Sequence, residues 1–99
     1  MRVELLYFDG CPNWTVADTR LMEALGMVGR GDVPVERRHV GTVEEAAAVG
    51  FTGSPTVLVD GRDPFATGGE QVGLSCRVYV TPAGLSGSPT IKQFVEVLT

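Results

Sequence analysis

The stretch from Val3 to Trp14 constrains the fold of this chain more than any other. The apolar run Val3–Phe8 has the composition of a short strand buried on both faces, and Asp9-Gly10 ends it. Pro12 fits the first position of a helix, where its missing N–H has no intrahelical partner. The stretch therefore predicts a buried strand, a tight turn and a helix, with Cys11 as the helix N-cap.

Cys11 is the first candidate for chemistry. At a helix N-cap its sulfur would lie beside the free N–H groups of Asn13 and Trp14, which together with the helix dipole favour a thiolate. We therefore predict that the pKa of Cys11 lies below the free-thiol value of about 8.5. The alternative is a buried cysteine that only fills space, which is common for free cysteines.

The composition indicates one folded domain over residues 1–99. Of the 99 residues, 43% are apolar and 20% are charged, which is enough for a modest core. A net charge of −4 without a Lys/Arg cluster argues against nucleic acid as a partner. No apolar run approaches the roughly 20 residues of a membrane span, and the first residues lack a signal-peptide pattern. We expect a cytoplasmic protein, not a membrane-bound one, with both cysteines reduced.

Periodicity and turn signals predict the element order strand–helix–strand–helix–strand–strand–helix. The predicted strands are Val3–Phe8, Val33–Val40, Thr56–Val59 and Ser75–Val80. The predicted helices are Trp14–Val28, a short helix from the Thr42 cap through Val49, and a last helix that Ser88 caps and Pro89 begins. The first βαβ unit should be parallel. The last two strands should pair antiparallel through the long loop Arg62–Leu74, whose length often indicates function or mobility.

Two motifs in this order resemble the thioredoxin/glutaredoxin superfamily. One is Phe8-x-x-Cys11-Pro12-x-Trp14, and the other is Gly53-Ser54-Pro55-Thr56 before the third strand. The resemblance implies an α/β thioredoxin-like fold, βαβαββα, with a four-stranded mixed sheet and helices on both faces. It also implies a cis Ser54–Pro55 bond facing Cys11, with the main-chain N–H and C=O of Ser54 free to pair with an extended thiol or peptide substrate.

The chain departs from the superfamily at the second cysteine of Cys-x-x-Cys, where Trp14 stands. A single cysteine can still attack a disulfide or reduce a peroxide through a sulfenic acid. Both routes need a second thiol, either Cys76 or an external one. In such a fold the fourth strand starts at the end of the sheet far from Cys11. We therefore predict that Cys11 and Cys76 are not bonded in the resting protein.

The candidate catalytic residues are Cys11, as the nucleophile, and Cys76, which is also interpreted as a small buried residue. The resemblance implies a substrate site formed by Pro12, Trp14, Ser54 and Pro55. Core packing explains Trp14 equally well. Three polar side chains have a functional and a simpler interpretation, and the simpler one is favoured: Asp9 as a turn former, His39 as a solvated edge residue and Arg77 as a surface charge.

These observations favour a thiol-redox protein, a thiol–disulfide oxidoreductase whose partner is a thiol or disulfide of a protein or a low-molecular-weight compound. No cofactor is expected, and no Cys/His spacing of a metal site is present. Two other classes stay open. Two cysteines and a carboxylate such as Asp9 are the minimal set for soft-metal chemistry of the organomercurial-lyase kind. The replacement of the second cysteine by Trp14 also fits a binding module that has lost its redox function.

Overall fold

The computed structural model describes residues 1–99. It contains three helices and five strands, and the strands form two sheets. Their bounds are β1 Val3–Tyr7, α1 Trp14–Met27, β2 Val35–His39, α2 Val43–Val49, β3 Thr56–Val59, β4 Tyr79–Thr81, β5 Gly84–Ser86 and α3 Ile91–Leu98. None of the three helices has the length and apolar character needed to cross a bilayer.

β1 is the central strand of a three-stranded mixed sheet with the order β2-β1-β3. It runs parallel to β2, with Val3 opposite Val35, and antiparallel to β3, with Val3 opposite Val59. β2 is charged, largely exposed and forms one edge, as its sequence predicts. The parallel first βαβ unit is confirmed.

The sheet has an apolar core on each face, because successive side chains of β1 point to opposite sides. Leu5 belongs to the larger cluster and Leu6 to the smaller one. The larger cluster is shared by β1, β3, α1 and α3, and its buried members are Val3, Leu5, Ala17, Leu21, Ala24, Leu25, Val57, Phe94 and Leu98. The smaller cluster includes Ala46 of α2. Helices therefore cover both faces of the sheet.

The predicted four-stranded sheet, and with it the thioredoxin-like fold, is wrong. After the Asp60-Gly61 turn the chain forms a single bridge to β3. The ladder stops there because Pro64 has no N–H to donate, and because the Asp63 carboxylate accepts the Phe65 N–H at 2.9 Å in a turn of its own. Of the strand predicted at Ser75–Val80, only Tyr79 and Val80 belong to β4, which pairs with β5 in a separate hairpin, and Cys76 makes an isolated parallel bridge to Ser54.

Two helix starts show how far local signals are reliable. α2 has its predicted ends: the Thr42 hydroxyl accepts the Glu45 N–H at 3.1 Å, and Gly50, with a φ of 68°, closes the helix. α3 begins two residues later than predicted. Its N-cap is Thr90 and not Ser88, because Thr90 completes a capping box.

Candidate functional site

Cys11 and Cys76 form a disulfide across 65 residues of sequence, with their Cα atoms 5.6 Å apart. This separation lies within the usual range for protein disulfides. The prediction that the two cysteines are not bonded in the resting protein is therefore wrong. It assumed a fourth strand antiparallel to β3, whereas the chain after β3 returns to the start of that strand before it reaches Cys76.

The two cysteines differ in accessibility. Cys11 is 1% exposed, whereas Cys76 is an exposed residue that lines a cleft. The interpretation of Cys76 as a small buried residue is therefore wrong. A reagent in solution meets Cys76 before it meets Cys11.

Cys11 lies in the turn before α1 and is not its N-cap. The N-cap is Asn13, which has helical φ and ψ of −62° and −12° and makes no capping hydrogen bond through its side chain. The Cys11 N–H donates to the Phe8 carbonyl at 3.4 Å, and the Pro12 carbonyl accepts the Thr15 N–H at 3.2 Å. The helix dipole acts mainly within the first turn. The lowered pKa expected of reduced Cys11 stays a prediction. The N-cap position that motivated it belongs to Asn13.

The Ser54–Pro55 peptide bond is cis, as predicted, and both residues are buried. The Ser54 hydroxyl accepts the Phe8 N–H at 3.2 Å. The main-chain groups of Ser54 are already paired: its N–H donates to the Ser75 carbonyl at 2.8 Å, and its carbonyl accepts the Arg77 N–H at 3.0 Å. The pairing with a substrate that the resemblance implies is therefore not open to Ser54 in the oxidised protein, because the residues flanking Cys76 occupy both groups.

Gly53 allows the chain around Cys76 to approach this closely. Its φ is +115°, and a Cβ added there would lie 3.0 Å from the Arg77 Cβ and 3.2 Å from the Arg77 nitrogen. Both the backbone conformation and the contact favour a residue without a side chain. The backbone conformation and this contact thus explain why glycine occupies the first position of Gly53-Ser54-Pro55-Thr56.

Arg77, expected to be a surface charge, is only 8% exposed, so that interpretation is wrong. Its guanidinium forms ion pairs with Asp63 and, at 3.7 Å, with Glu70, and it donates to the Thr52 hydroxyl at 3.3 Å. It also lies 4.7 Å from the centre of the Tyr79 ring. Sequence reasoning missed the two carboxylates because they come from an irregular loop, where no fixed spacing signals a contact.

The remaining candidate residues lie around the start of α1. The Trp14 ring stacks on Tyr7 with centroids 4.2 Å apart and packs against the larger core, so it has the packing role. Asp9 lies in a turn, as favoured, and its carboxylate is 3.1 Å from Nε2 of His39, which is exposed as expected. Pro12 is exposed.

Comparison with known proteins gives this site no further assignment. The chain matches no protein-family model, no curated protein and no solved structure. The interpretation of the site therefore depends on its geometry and on the two motifs.

Proposed function

We propose that this chain is a thiol–disulfide redox protein whose reactive pair is Cys11 and Cys76. The observation that carries the proposal is the asymmetry of the pair, with Cys11 buried and Cys76 exposed in a cleft. Access decides which sulfur of a disulfide an external thiolate attacks. The accessible side of this bond is Cys76, and the buried Cys11 is the leaving group.

The proposed exchange proceeds in two steps. An external thiolate attacks the Cys76 sulfur, the bond to Cys11 breaks, and Cys11 leaves as a thiolate that takes up a proton. A second thiolate then attacks the external sulfur of the mixed disulfide and releases Cys76. In sum, two thiols are oxidised to one disulfide and the protein pair is reduced by two electrons. The reverse sequence reduces a substrate disulfide.

The similarity to thioredoxin-like proteins supports this chemistry at the level of the motifs. The two motifs lie against each other, since Phe8 donates to the Ser54 hydroxyl and Ser54 pairs with the chain at Cys76. The second sulfur, however, comes from Cys76 and not from the position of Trp14. We propose that this chain carries out the same type of reaction as thioredoxin-like proteins, with the second thiol supplied by Cys76.

We also propose that the protein works in the cytoplasm. Two cysteines in 99 residues are far fewer than in small secreted domains that depend on disulfides for stability. Cytoplasmic thiols reduce accessible disulfides, so the Cys11–Cys76 bond would form and open repeatedly there. Rapid acid quenching of cells, alkylation and mass spectrometry are expected to find both forms of the pair.

The reduction potential of the pair tests the redox function. The oxidised protein is equilibrated with thiol–disulfide buffers, and the reduced fraction is measured by alkylation and mass spectrometry. Working pairs have potentials of about −270 to −120 mV, whereas structural disulfides lie below about −300 mV. We expect a value in the working range because Cys76 is exposed. A value below about −300 mV, with no reduction of insulin by the protein, would identify a structural bond or a binding module.

The reduced pair favours a second candidate function, the binding of a soft metal ion such as Hg²⁺. The favouring observation is that both sulfurs converge at one point, and thiolates select soft ions. No group of three or more His, Cys, Asp or Glu side chains is arranged to hold a metal ion, and Asp9 contacts His39. Titration of the reduced protein with Hg²⁺ against a competing dithiol measures the affinity. Cleavage of a carbon–mercury bond would have to be shown separately.

A further inference from the structure

A cleft of about 450 Å³ opens beside Cys76. Phe65 and Tyr79 contribute apolar surface, and Thr52, Thr67 and Glu70 contribute polar groups. A cleft of this size admits a small molecule or a single side chain and cannot admit a folded domain. A molecule in the cleft would lie beside the accessible member of the disulfide.

The charged groups in and next to this cleft are unequal in number. Arg77 and Glu70 line the cleft, and Asp63, which is outside the lining, forms a second ion pair with Arg77. The hydrogen bond that the backbone N–H of Thr67 donates to Glu70 holds the pKa of that carboxyl below its usual value, so Glu70 is ionised at neutral pH. One negative charge is therefore left without a partner in the cluster.

We propose that this cleft binds the low-molecular-weight thiol or disulfide that exchanges with Cys76, and that it selects a cationic compound over an anionic one. The proposal rests on the proposed redox function and adds its substrate class. In the reaction, the bound thiolate attacks the Cys76 sulfur and Cys11 leaves, as described above. The amine of a cationic thiol would offset the unpaired carboxylate charge, whereas an anionic thiol would add to it.

One net charge at a solvent-open cleft changes the local concentration of a charged reagent only modestly. At separations below the Debye length of about 8 Å, in water-like surroundings, we expect roughly a threefold effect for each unit of reagent charge. The preference for a cationic over an anionic thiol should therefore be roughly tenfold at low salt. It should fall towards one as the salt concentration approaches about 1 M.

The experiment compares the opening of the disulfide by cysteamine, 2-mercaptoethanol and 3-mercaptopropionate. Each rate constant is measured by acid quenching and mass spectrometry. It is then divided by the rate constant of the same thiol with an uncharged dialkyl disulfide at the same pH, which removes differences in intrinsic reactivity. We expect the normalised rate constants to fall in the order cationic, neutral, anionic. The same measurements on the wild-type protein at several salt concentrations test whether this order is electrostatic in origin.

Glu70→Gln tests the origin of the preference, because glutamine keeps an oxygen that can accept the Thr67 N–H. It should reduce the cationic preference to about twofold or less, since the cluster is then neutral. The matched control is Glu23→Gln, on an exposed position of α1 outside the cleft, which should keep the full preference. Equal normalised rate constants for the three thiols, or the same effect from both variants, would overturn the cleft proposal and leave the redox function standing. Failure of every thiol to open the bond in the folded protein would overturn the redox function itself.

Discussion

Two regions of this molecule are held in place by different means. The sheet core of β1, β3, α1 and α3 is stabilised by side chains that are 0–3% exposed. The docked segment, defined here as residues 62–78, contains no helix or strand. It is held to the rest of the chain by the Cys11–Cys76 bond, by main-chain hydrogen bonds to Ser54 and Phe51, and by the packing of Phe65 and Leu74 against the two cores. The ion pairs of Arg77 with Asp63 and Glu70 lie within the segment.

This contrast predicts which region responds to the oxidation state of the disulfide. Burial in the core is spread over many side chains, so no single reaction removes it. The docked segment depends on fewer contacts with the rest of the chain, and one of them is a covalent bond that a thiol can open. Reduction leaves the main-chain hydrogen bonds to Ser54 and Phe51, each with a net value of about 1 kcal/mol, and the packing of Phe65 and Leu74. Reduction should therefore loosen the docked segment and leave the sheet core folded.

The largest effect is expected from Leu21→Ala in the core. Leu21 is 0% exposed, and its truncation leaves a cavity among α1, α3 and the sheet. The expected loss in the free energy of unfolding is about 3–5 kcal/mol, measured by urea denaturation of the oxidised protein. Met22→Ala on the exposed side of the same helix should change it by less than about 0.5 kcal/mol. A shift in the reduction potential of the pair by Leu21→Ala would show that the two regions are coupled.

Cys76→Ser should come next and should act on the docked segment. The disulfide closes a loop with a sequence separation of 65, for which chain entropy predicts at most about 4 kcal/mol of stabilisation. We expect a loss of about 2–4 kcal/mol. In hydrogen exchange, the amides of Ser54 and Arg77 should lose protection before those of α1. Wild-type protein kept in dithiothreitol is the matched comparison. Uniform loss of protection over the whole chain would contradict the division into two regions.

Gly53→Ala should have a smaller effect, and mainly in the oxidised state. Alanine at a φ of +115° is strained, and its Cβ would lie 3.0 Å from the Cβ of Arg77. We expect a destabilisation of about 1–3 kcal/mol. The reduction potential should rise by roughly 30 mV for each 1.4 kcal/mol that falls on the oxidised state alone. Gly69→Ala, where an added Cβ meets nothing within 4 Å, is the control. An unchanged potential in Gly53→Ala would mean that the docked segment stays in place after reduction.

The region up to β3 could largely be predicted from the sequence because its signals are local. The apolar run gives the central strand, the helical stripe that contains Leu21 gives α1, and Thr42 and Gly50 mark the ends of α2. Each of these signals lies within the element that it defines. The N-cap of α1 is the exception, since the chain forms a further turn between Cys11 and the helix.

The docked segment could not be predicted because its contacts are long-range and irregular. The composition of Ser75–Val80 predicts a strand antiparallel to β3 across the loop Arg62–Leu74, but the contact that Cys76 makes there is a single parallel bridge to Ser54. The pairing of Ser54 with Cys76 has no periodicity to indicate it. The burial of Arg77 depends on carboxylates from the same irregular loop. The candidate site combines local and long-range features. The local sequence pattern identified Cys11, whereas its bond to Cys76 joins residues 65 positions apart and could not be predicted.

The smallest effect concerns Tyr79, which ties the hairpin after the docked segment to the start of β3. Its buried hydroxyl donates to the Pro55 carbonyl, so Tyr79→Phe should cost about 1 kcal/mol near neutral pH. Burial raises the pKa of Tyr79 well above its usual value, and the nearby charge of Arg77 opposes this only in part. The unfolded chain therefore loses this proton near pH 10, while the folded chain keeps it.

Because the folded state binds the extra proton, stability should fall as the pH rises above about 10, by up to about 1.4 kcal/mol per pH unit. Urea denaturation of the oxidised protein between about pH 9 and about pH 11 measures this slope, and with no free cysteine present the disulfide cannot rearrange within the chain. Tyr79→Phe should flatten the slope. Tyr7→Phe, at the only other tyrosine, should retain it. An equally steep slope in Tyr79→Phe would show that the alkaline loss begins elsewhere, and that the Tyr79 hydroxyl does not tie the β4–β5 hairpin to the start of β3 as the structure indicates.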